Sequence, residues 1–211
     1  MFKNYLQVAL RNLGKHPLYS AINVIGLAVG LATCILISLF VRDELSFDQR
    51  WADAERIHRV NTTFNVPGRE PFVTVVAQGP IKAALENYFP EEIESVTRFN
   101  SQNPVVKYGD RVFTEEIHWT DPETVDIFSL QVLRGDLRQA LSDNASLAIN
   151  RSFALKYFGT VDAIDEVVNI RSYDMNRDFR IGAVFEDLPH NTVLDFQALA
   201  MIDENDWTAW P

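Results

Sequence analysis

The stretch Leu18–Val41, LYSAINVIGLAVGLATCILISLFV, runs for twenty-four residues without a charged side chain. As an α-helix rising about 1.5 Å per residue it would be roughly 36 Å long. The hydrocarbon core of a bilayer is about 30 Å thick, so such a helix spans it with some tilt. A secretory signal has a shorter apolar region, about 7–15 residues, and a small-residue cleavage site. Here the run is longer and closes on Ser38-Leu39-Phe40. A lipid anchor on Cys34 is disfavoured, because Thr33 precedes it and the apolar run continues beyond it. The stretch therefore reads as a retained transmembrane helix, and every other residue is defined by which side of it lies on.

The flanks set the orientation. Lys3, Arg11 and Lys15 precede the span and no acid does, whereas Arg42, Asp43, Glu44, Asp48, Arg50, Asp53 and Glu55 follow it. Positive charge is retained in the cytoplasm, which places residues 1–17 inside and residues 42–211 outside. Of the nineteen Lys and Arg residues three precede the span, leaving sixteen against twenty-nine acids outside, a net charge of −13. Such a domain does not seek nucleic acid or an anionic membrane surface. The single cysteine lies within the span, so the outer domain carries no disulfide and depends on its apolar core.

Working back from the span, Phe2–Leu13 reads as a basic amphipathic helix. Phe2, Tyr5, Leu6, Ala9, Leu10 and Leu13 recur at spacings of three and four, Gly14 ends it, and Pro17 opens the next helix. Such a helix usually lies in the membrane interface, either as a plain anchor or as a cytoplasmic elbow that touches a partner. Within the span, Gly26 and Gly30 form a G-x-x-x-G that lets a second helix approach closely, and Asn23 supplies a polar contact to a neighbouring helix.

Working forward, Arg42–Ala54 reads as a continued or broken helix, with Phe47 and Trp51 at the outer membrane interface. Strands are expected over Arg56–Phe64, Ile93–Asn100, Val105–Tyr108, Arg111–Trp119, Leu147–Ile149, Val167–Arg171, Phe179–Phe185 and Leu194–Met201. Helices are expected over Thr74–Phe89, after Asp121-Pro122 with Asp121 as the cap, and over Ser152–Phe158 before Gly159. Turns are expected at Asn65–Gly68, Tyr108–Arg111 and Tyr173–Asn176, and a loop at Asp187–Asn191. The fold class is thus α+β: one N-terminal transmembrane helix followed by a mixed α/β outer domain with β-α-β pieces. Trp207 and Trp210 in an open-ended tail suggest a chain that continues past Pro211.

Chemistry is sparse. His16, His58, His118 and His190 have no second histidine or cysteine at ligand spacing, and there is no G-x-S-x-G, Walker loop or G-x-G-x-x-G. The adjacent Glu115 and Glu116 point to opposite faces of a strand and read as solvated surface. No catalytic, metal or cofactor site is expected. Two alternatives stand beside an anchored structural or transport domain. One is a ligand-binding domain of a membrane-bound sensor, whose signalling module would have to follow a second span. The other is an anchored hydrolase, disfavoured by the missing motifs.

Four segments in order carry a resemblance: FKNYLQVALRNLGKHPLYSAINVIGLAVGLA, VRDELSFDQRWADAERIHRV, TVDIFSLQVLRGDLRQALSDNASLAINRSFALKYFG and FRIGAVFEDLPHNTVLDFQALAMI. Together they resemble permeases of the MacB/FtsX type in ABC transporters, most of all those of Bacteroidetes-like bacteria. A departure lies at Ile164-Asp165, where the family often has a Pro-Ile-Gly turn. The resemblance implies a cytoplasmic elbow, one span, a two-lobed periplasmic core domain in residues 42–211 that is incomplete at its C-terminus, and three later spans. It also implies location in the bacterial inner membrane, a cytoplasmic ABC ATPase as partner, and a second permease copy. A periplasmic adaptor or substrate protein, and membrane lipid, complete the expected contacts. On that footing Lys3, Asn4, Gln7 and Arg11 would couple the elbow to the ATPase, while Asn23, Gly26 and Gly30 would pack against another span.

Overall fold

The computed structural model describes residues 2–172 and 175–203. The chain divides into two units, residues 1–47 and residues 48–211.

The first unit is a pair of helices, α1 (Phe2–Lys15) and α2 (Pro17–Glu44). Gly14 does not end α1; the break falls at His16, whose φ of −127° and ψ of 66° leave the helical region. Pro17 enforces this, since its ring excludes the preceding residue from helical geometry while suiting the first helical position itself. The twenty-eight residues of α2 include no buried one, and α2 is the one helix among the described residues long and apolar enough to cross a membrane.

The second unit begins with irregular turns and a 3-10 turn at Ala54–Arg56. It continues with β1 (Thr62–Phe64), β2 (Phe72–Thr74), α3 (Ile81–Tyr88), β3 (Phe99–Gln102), β4 (Val105–Tyr108), β5 (Arg111–Thr114) and β6 (Ile117–Thr120). Then come α4 (Thr124–Ile127), β7 (Val132–Gly135), α5 (Leu137–Ala140), β8 (Ser146–Asn150) and α6 (Arg151–Phe158). The last elements are β9 (Val167–Ser172), β10 (Met175–Phe185) and β11 (Ala198–Met201). Strands β1 and β2 form a separate antiparallel ribbon; the other nine form one mixed sheet in the order β3-β6-β11-β8-β10-β9-β4-β5, with β7 on β10.

The sheet's shape follows from one short linker. Strands β3 and β4 stand six places apart in the strand order yet are joined by Asn103-Pro104 alone. A flat sheet would separate them by about 29 Å at about 4.8 Å per strand, but the linker reaches only about 11 Å. The sheet must therefore curl. The register explains how. Phe99 faces Thr120, Gln102 faces Ile117, Val105 faces Thr114 and Tyr108 faces Arg111, so β3–β4 and β5–β6 are one ribbon in one unbroken register. Glu115 N–H donates to the Pro104 carbonyl at 3.1 Å and carries that register across the bend. At its base the ribbon pairs through β6 with β11, and at its tip it pairs through β4 with β9, so it bridges both ends of the sheet. Ser172 on β9 donates to Gln102 Oε1 on β3 at 3.3 Å across the same gap. The ribbon's reversal is the expected Tyr108–Arg111 turn, with Gly109 at φ +57° in its first central position, as a two-residue hairpin loop requires.

Both faces of the sheet are covered. Leu147, Ile149, Ile181 and Val184 pack with Phe153, Ala154 and Tyr157 of α6. Ala148, Ala183 and Phe185 pack with Leu137, Ala140, Leu141 and Phe196. Burial on both faces leaves β8 fully buried along its length, and β8 pairs in parallel with β10. Helix α6 is capped as its sequence requires: Asn150 accepts from Phe153 N–H, and Gly159 takes φ +74°.

Several expectations change. The helix expected over Thr74–Phe89 is confined to Ile81–Tyr88, because Gly79-Pro80 fixes its start and Phe72–Thr74 instead pairs with β1. The strand expected over Arg56–Phe64 keeps only Thr62–Phe64. Arg111–Trp119 is two strands, parted by the bend at Glu115-Glu116. The last strand starts at Ala198 rather than Leu194. Asp121 caps no helix; its carboxylate is taken by Arg98. Trp51 is not at a membrane interface but 5% exposed, edge-on to Phe128 at 5.0 Å. Strand β7 and α5 lie where the sequence pattern predicts no element. Asp165, in the departure from the family's turn, takes φ +67°, the left-handed conformation that a glycine would adopt more easily. Tyr173, Trp207 and Trp210 lie outside the described residues.

Gly135 is needed where β7 meets β10. It has φ +75°, and an added Cβ would lie 2.1 Å from the Gly182 carbonyl oxygen. Gly135→Ala is expected to destabilise the domain by about 3 kcal/mol or more, combining left-handed strain with overpacking. Gly68→Ala carries the same sign of φ without a neighbour within 4 Å, so it should cost distinctly less. Thermal unfolding of the two variants checks this.

Candidate functional site

In the helical unit, Asn23, Gly26 and Gly30 follow spacings of three and four and share one face of α2. All three are exposed, and a Cβ added at either glycine meets nothing within 4 Å. The hydroxyls nearby are already satisfied: Thr33 donates to the Val29 carbonyl at 2.9 Å and Ser38 to the Cys34 carbonyl at 2.8 Å. A helix of this composition therefore presents one close-approach face with a single amide at its edge. On α1, Asn4, Gln7 and Arg11 fall on one face and are exposed; the side chain of Lys3 lies outside the described residues.

In the outer unit, sequence reasoning missed the main polar centre. Glu115 is 5% exposed, at the bend of the ribbon. Its Oε1 accepts from the Tyr157 hydroxyl at 2.8 Å and from Lys156 Nζ. Burial first, and then the hydrogen bond to Glu115, push the Tyr157 phenol far above its ordinary value. The ribbon holds the last turn of α6 in other ways too. Arg111 donates to the Lys156 and Tyr157 carbonyls, two of the acceptors a helix C-terminus leaves open. Tyr108 packs edge-on to Phe158 at 4.7 Å, and Lys156 lies 4.5 Å over the Phe113 ring. Glu116, the other glutamate of the pair, is half-exposed and accepts from Ser101.

A second polar centre joins α3 to the sheet. Asp121, 4% exposed, accepts a forked pair from Arg98 Nε at 3.0 Å and Nη2 at 2.6 Å, and the Arg98 backbone N–H at 2.9 Å. Lys82 of α3 donates to Glu123 at 2.8 Å and lies 3.7 Å from Asp121. Thr97, Thr120 and Thr124 form a hydroxyl cluster beside them.

The histidines do not converge. His58 and His190 are exposed outside regular structure, and His118 is half-buried on β6. No group of three potential metal ligands occurs among the described residues. A shallow polar groove runs past Glu115, Ser152, Lys156, Asp187 and Asp195; two of its three carboxylates are engaged, Glu115 by α6 and Asp187 by the Ser152 N–H and hydroxyl.

Glu115→Ala should cost about 2 kcal/mol, because it leaves the Tyr157 hydroxyl buried without an acceptor. Glu116→Ala should stay within about 1 kcal/mol, as expected for a half-exposed partner. Denaturant melts of both variants separate the two glutamates. His118 gives a pH signature: burial lowers its pKa, against the opposing pull of Glu116 and Asp195. The unfolded state therefore takes up a proton first. Stability is full above the unfolded pKa of about 6.5 and falls as the pH drops through the lower folded value. His118→Phe should flatten that part of the stability–pH curve.

The family model described as the MacB-like periplasmic core domain matches residues 20–209. Among solved structures, the chain is similar to a domain attributed to a permease protein from Porphyromonas gingivalis, at 24% identity and a TM-score of 0.56, covering 68% of this chain and 62% of that one. It is also similar to the periplasmic region of MacB from Actinobacillus actinomycetemcomitans (18% identity, TM-score 0.45, 57% of this chain and 54% of that one). A third is the extracellular domain of the noncanonic ABC-type transporter YknZ from Gram-positive bacteria (13% identity, TM-score 0.46, 62% of this chain and 64% of that one). The chain thus spans less than two thirds of the length of each of these structures. No curated protein matches it. The match begins inside the apolar helix and runs through the curled sheet to the end of β11 and beyond, and by it the chain belongs to the MacB-like periplasmic core domain family.

Proposed function

We propose that the chain is the N-terminal part of a permease subunit of an ABC transporter of the MacB/FtsX type. The observation that carries this reading is the continuity of the family match from within the apolar helix into the sheet domain. On this reading α2 crosses the bacterial inner membrane, residues 1–17 are cytoplasmic, and residues 42–211 are the periplasmic core domain. ATP is hydrolysed by a partner subunit or domain. Its movement is taken up by α1 through Lys3, Asn4, Gln7 and Arg11, and passed through the membrane to the outer domain for export or mechanotransmission. The Asn23, Gly26 and Gly30 face of α2 packs against another span, in this copy or in a second copy of the permease. The outer domain acts on a periplasmic adaptor or a substrate protein. The sensor reading is not favoured, since the family match over residues 20–209 is to the MacB-like periplasmic core domain.

Expression of the gene with its neighbours, followed by affinity purification, should recover an ABC ATPase with the chain. Reversing charge with Lys3→Glu and Arg11→Glu should cut that recovery about tenfold, the effect of losing two exposed charge contacts. A cysteine placed by Asp110→Cys should react with a membrane-impermeant reagent added from outside the inner membrane. Absence of any ATPase, or labelling only from the cytoplasmic side, overturns the reading.

A further inference from the structure

The chain enters the outer domain at a residue with unusual backbone geometry. Asp48 has φ +56°, one of two positive values among the described non-glycine residues. It is held from three directions by one loop. Its N–H donates to the Asn191 carbonyl at 3.0 Å, and its Oδ1 accepts from the Thr192 hydroxyl at 2.6 Å and from the Val193 N–H at 3.1 Å. Thr192 Oγ1 in turn accepts from the Leu194 N–H at 3.2 Å, which fixes the hydroxyl that grips the carboxylate. Three residues on, Trp51 is buried edge-on to Phe128, and Phe128 meets Phe99 at 5.8 Å and Phe196 at 6.1 Å. Phe196 is fully buried and leads directly into β11, which lies between β6 and β8 in the sheet.

We propose that Asp48 is a force-bearing clasp: it delivers displacement of the membrane helix to the loop before β11, and so to the centre of the sheet, rather than to the β1–β2 ribbon and α3. This rests on the permease reading above. The reasoning is mechanical. The covalent chain carries movement of α2 into the outer domain at Asp48, the first residue of that domain. A load on a chain is borne by the first contacts in its path. Those contacts are the Asp48 hydrogen bonds, of which two are to a carboxylate and so are among the stronger kinds. Residues 54–96 lie beyond them in the chain. The left-handed backbone fits the same role, since an aspartate accepts that conformation more readily than most residues while offering the acceptor that a glycine lacks.

The test is single-molecule pulling on the full chain in a lipid nanodisc, with Cys34→Ala to remove the native thiol. One handle is placed by Asp110→Cys. The other is placed either before the clasp, by Leu45→Cys, or after it, by Ala52→Cys; each of these sites is exposed. Asp48→Gly keeps the backbone conformation and the backbone N–H bond but removes both bonds to the carboxylate. With the handle before the clasp it should shorten the lifetime of the first rupture at constant force about ten- to hundredfold. With the handle after the clasp the lifetime should stay within about threefold. Asp48→Asn, which retains an acceptor oxygen, should restore most of the lifetime. Thr192→Val removes one bond from the other side and should repeat the pattern, and it carries the comparison if Asp48→Gly does not fold. Equal shortening from both handle positions would mean a general structural role and overturns the proposal, as does no shortening from the first. The pulling needs no ATPase. A failed clasp leaves ATPase co-purification untouched, and a missing ATPase leaves the pulling result untouched, so the two readings fail separately.

Discussion

The outer domain depends on one unbroken register of backbone hydrogen bonds running from Phe99 and Thr120 to the turn at Gly109-Asp110. The ribbon is bent at Pro104 and Glu115, and its two halves serve opposite ends of the sheet. A one-residue slip would turn Val106 and Ile117, both fully buried, towards solvent. It would also move Glu115 away from Tyr157. The bend is where a carboxylate is least expected, and it is tolerated because α6 supplies a phenol and an ammonium to meet it.

The polar centres have a common logic. Each joins elements that are distant in sequence: Glu115 to α6, Asp121 to Arg98 and α3, Asp48 to the loop before β11. With the only cysteine in the apolar helix, no disulfide ties these segments together. Two apolar clusters, one on each face of the sheet, supply the bulk of the cohesion. Buried or half-buried carboxylates then fix which parts meet. Such groups are costly to leave unpaired, which makes them effective at excluding alternative arrangements.

Much of this was legible in the sequence where the signal is local. The apolar run and Pro17 give α2; Gly109-Asp110 gives the ribbon's turn; Asn150 and Gly159 bracket α6. The family likewise follows from segments read in order. What escaped reading depends on partners far along the chain. Glu115 looks like solvated surface until Lys156 and Tyr157, some forty residues later, are placed beside it. Trp51 follows a span closely enough to suggest an interface, and only Phe128 makes it core. Asp121 precedes a proline in a helix-capping pattern, but Arg98 competes for the carboxylate and wins with a forked charged pair. Strand β7 and α5, four residues each, are too short for hydrophobic periodicity to register. The proposed packing face on α2 and coupling residues on α1 are sequence readings; the fold adds only that Asn4, Gln7, Arg11, Asn23, Gly26 and Gly30 are exposed.

The bent ribbon also has a consequence for biogenesis. Its own pairing is local and can form as soon as residue 120 has emerged, since a hairpin closes in microseconds. Its outer neighbours come much later: β9 starts at Val167 and β11 at Ala198. A chain delivered from its N-terminus therefore displays a formed hairpin with two unsatisfied edges while the intervening segment is still to come. Open edges of this kind recruit foreign strands. The net charge of −13 beyond residue 41 opposes such recruitment between copies of the same chain, because like-charged chains repel.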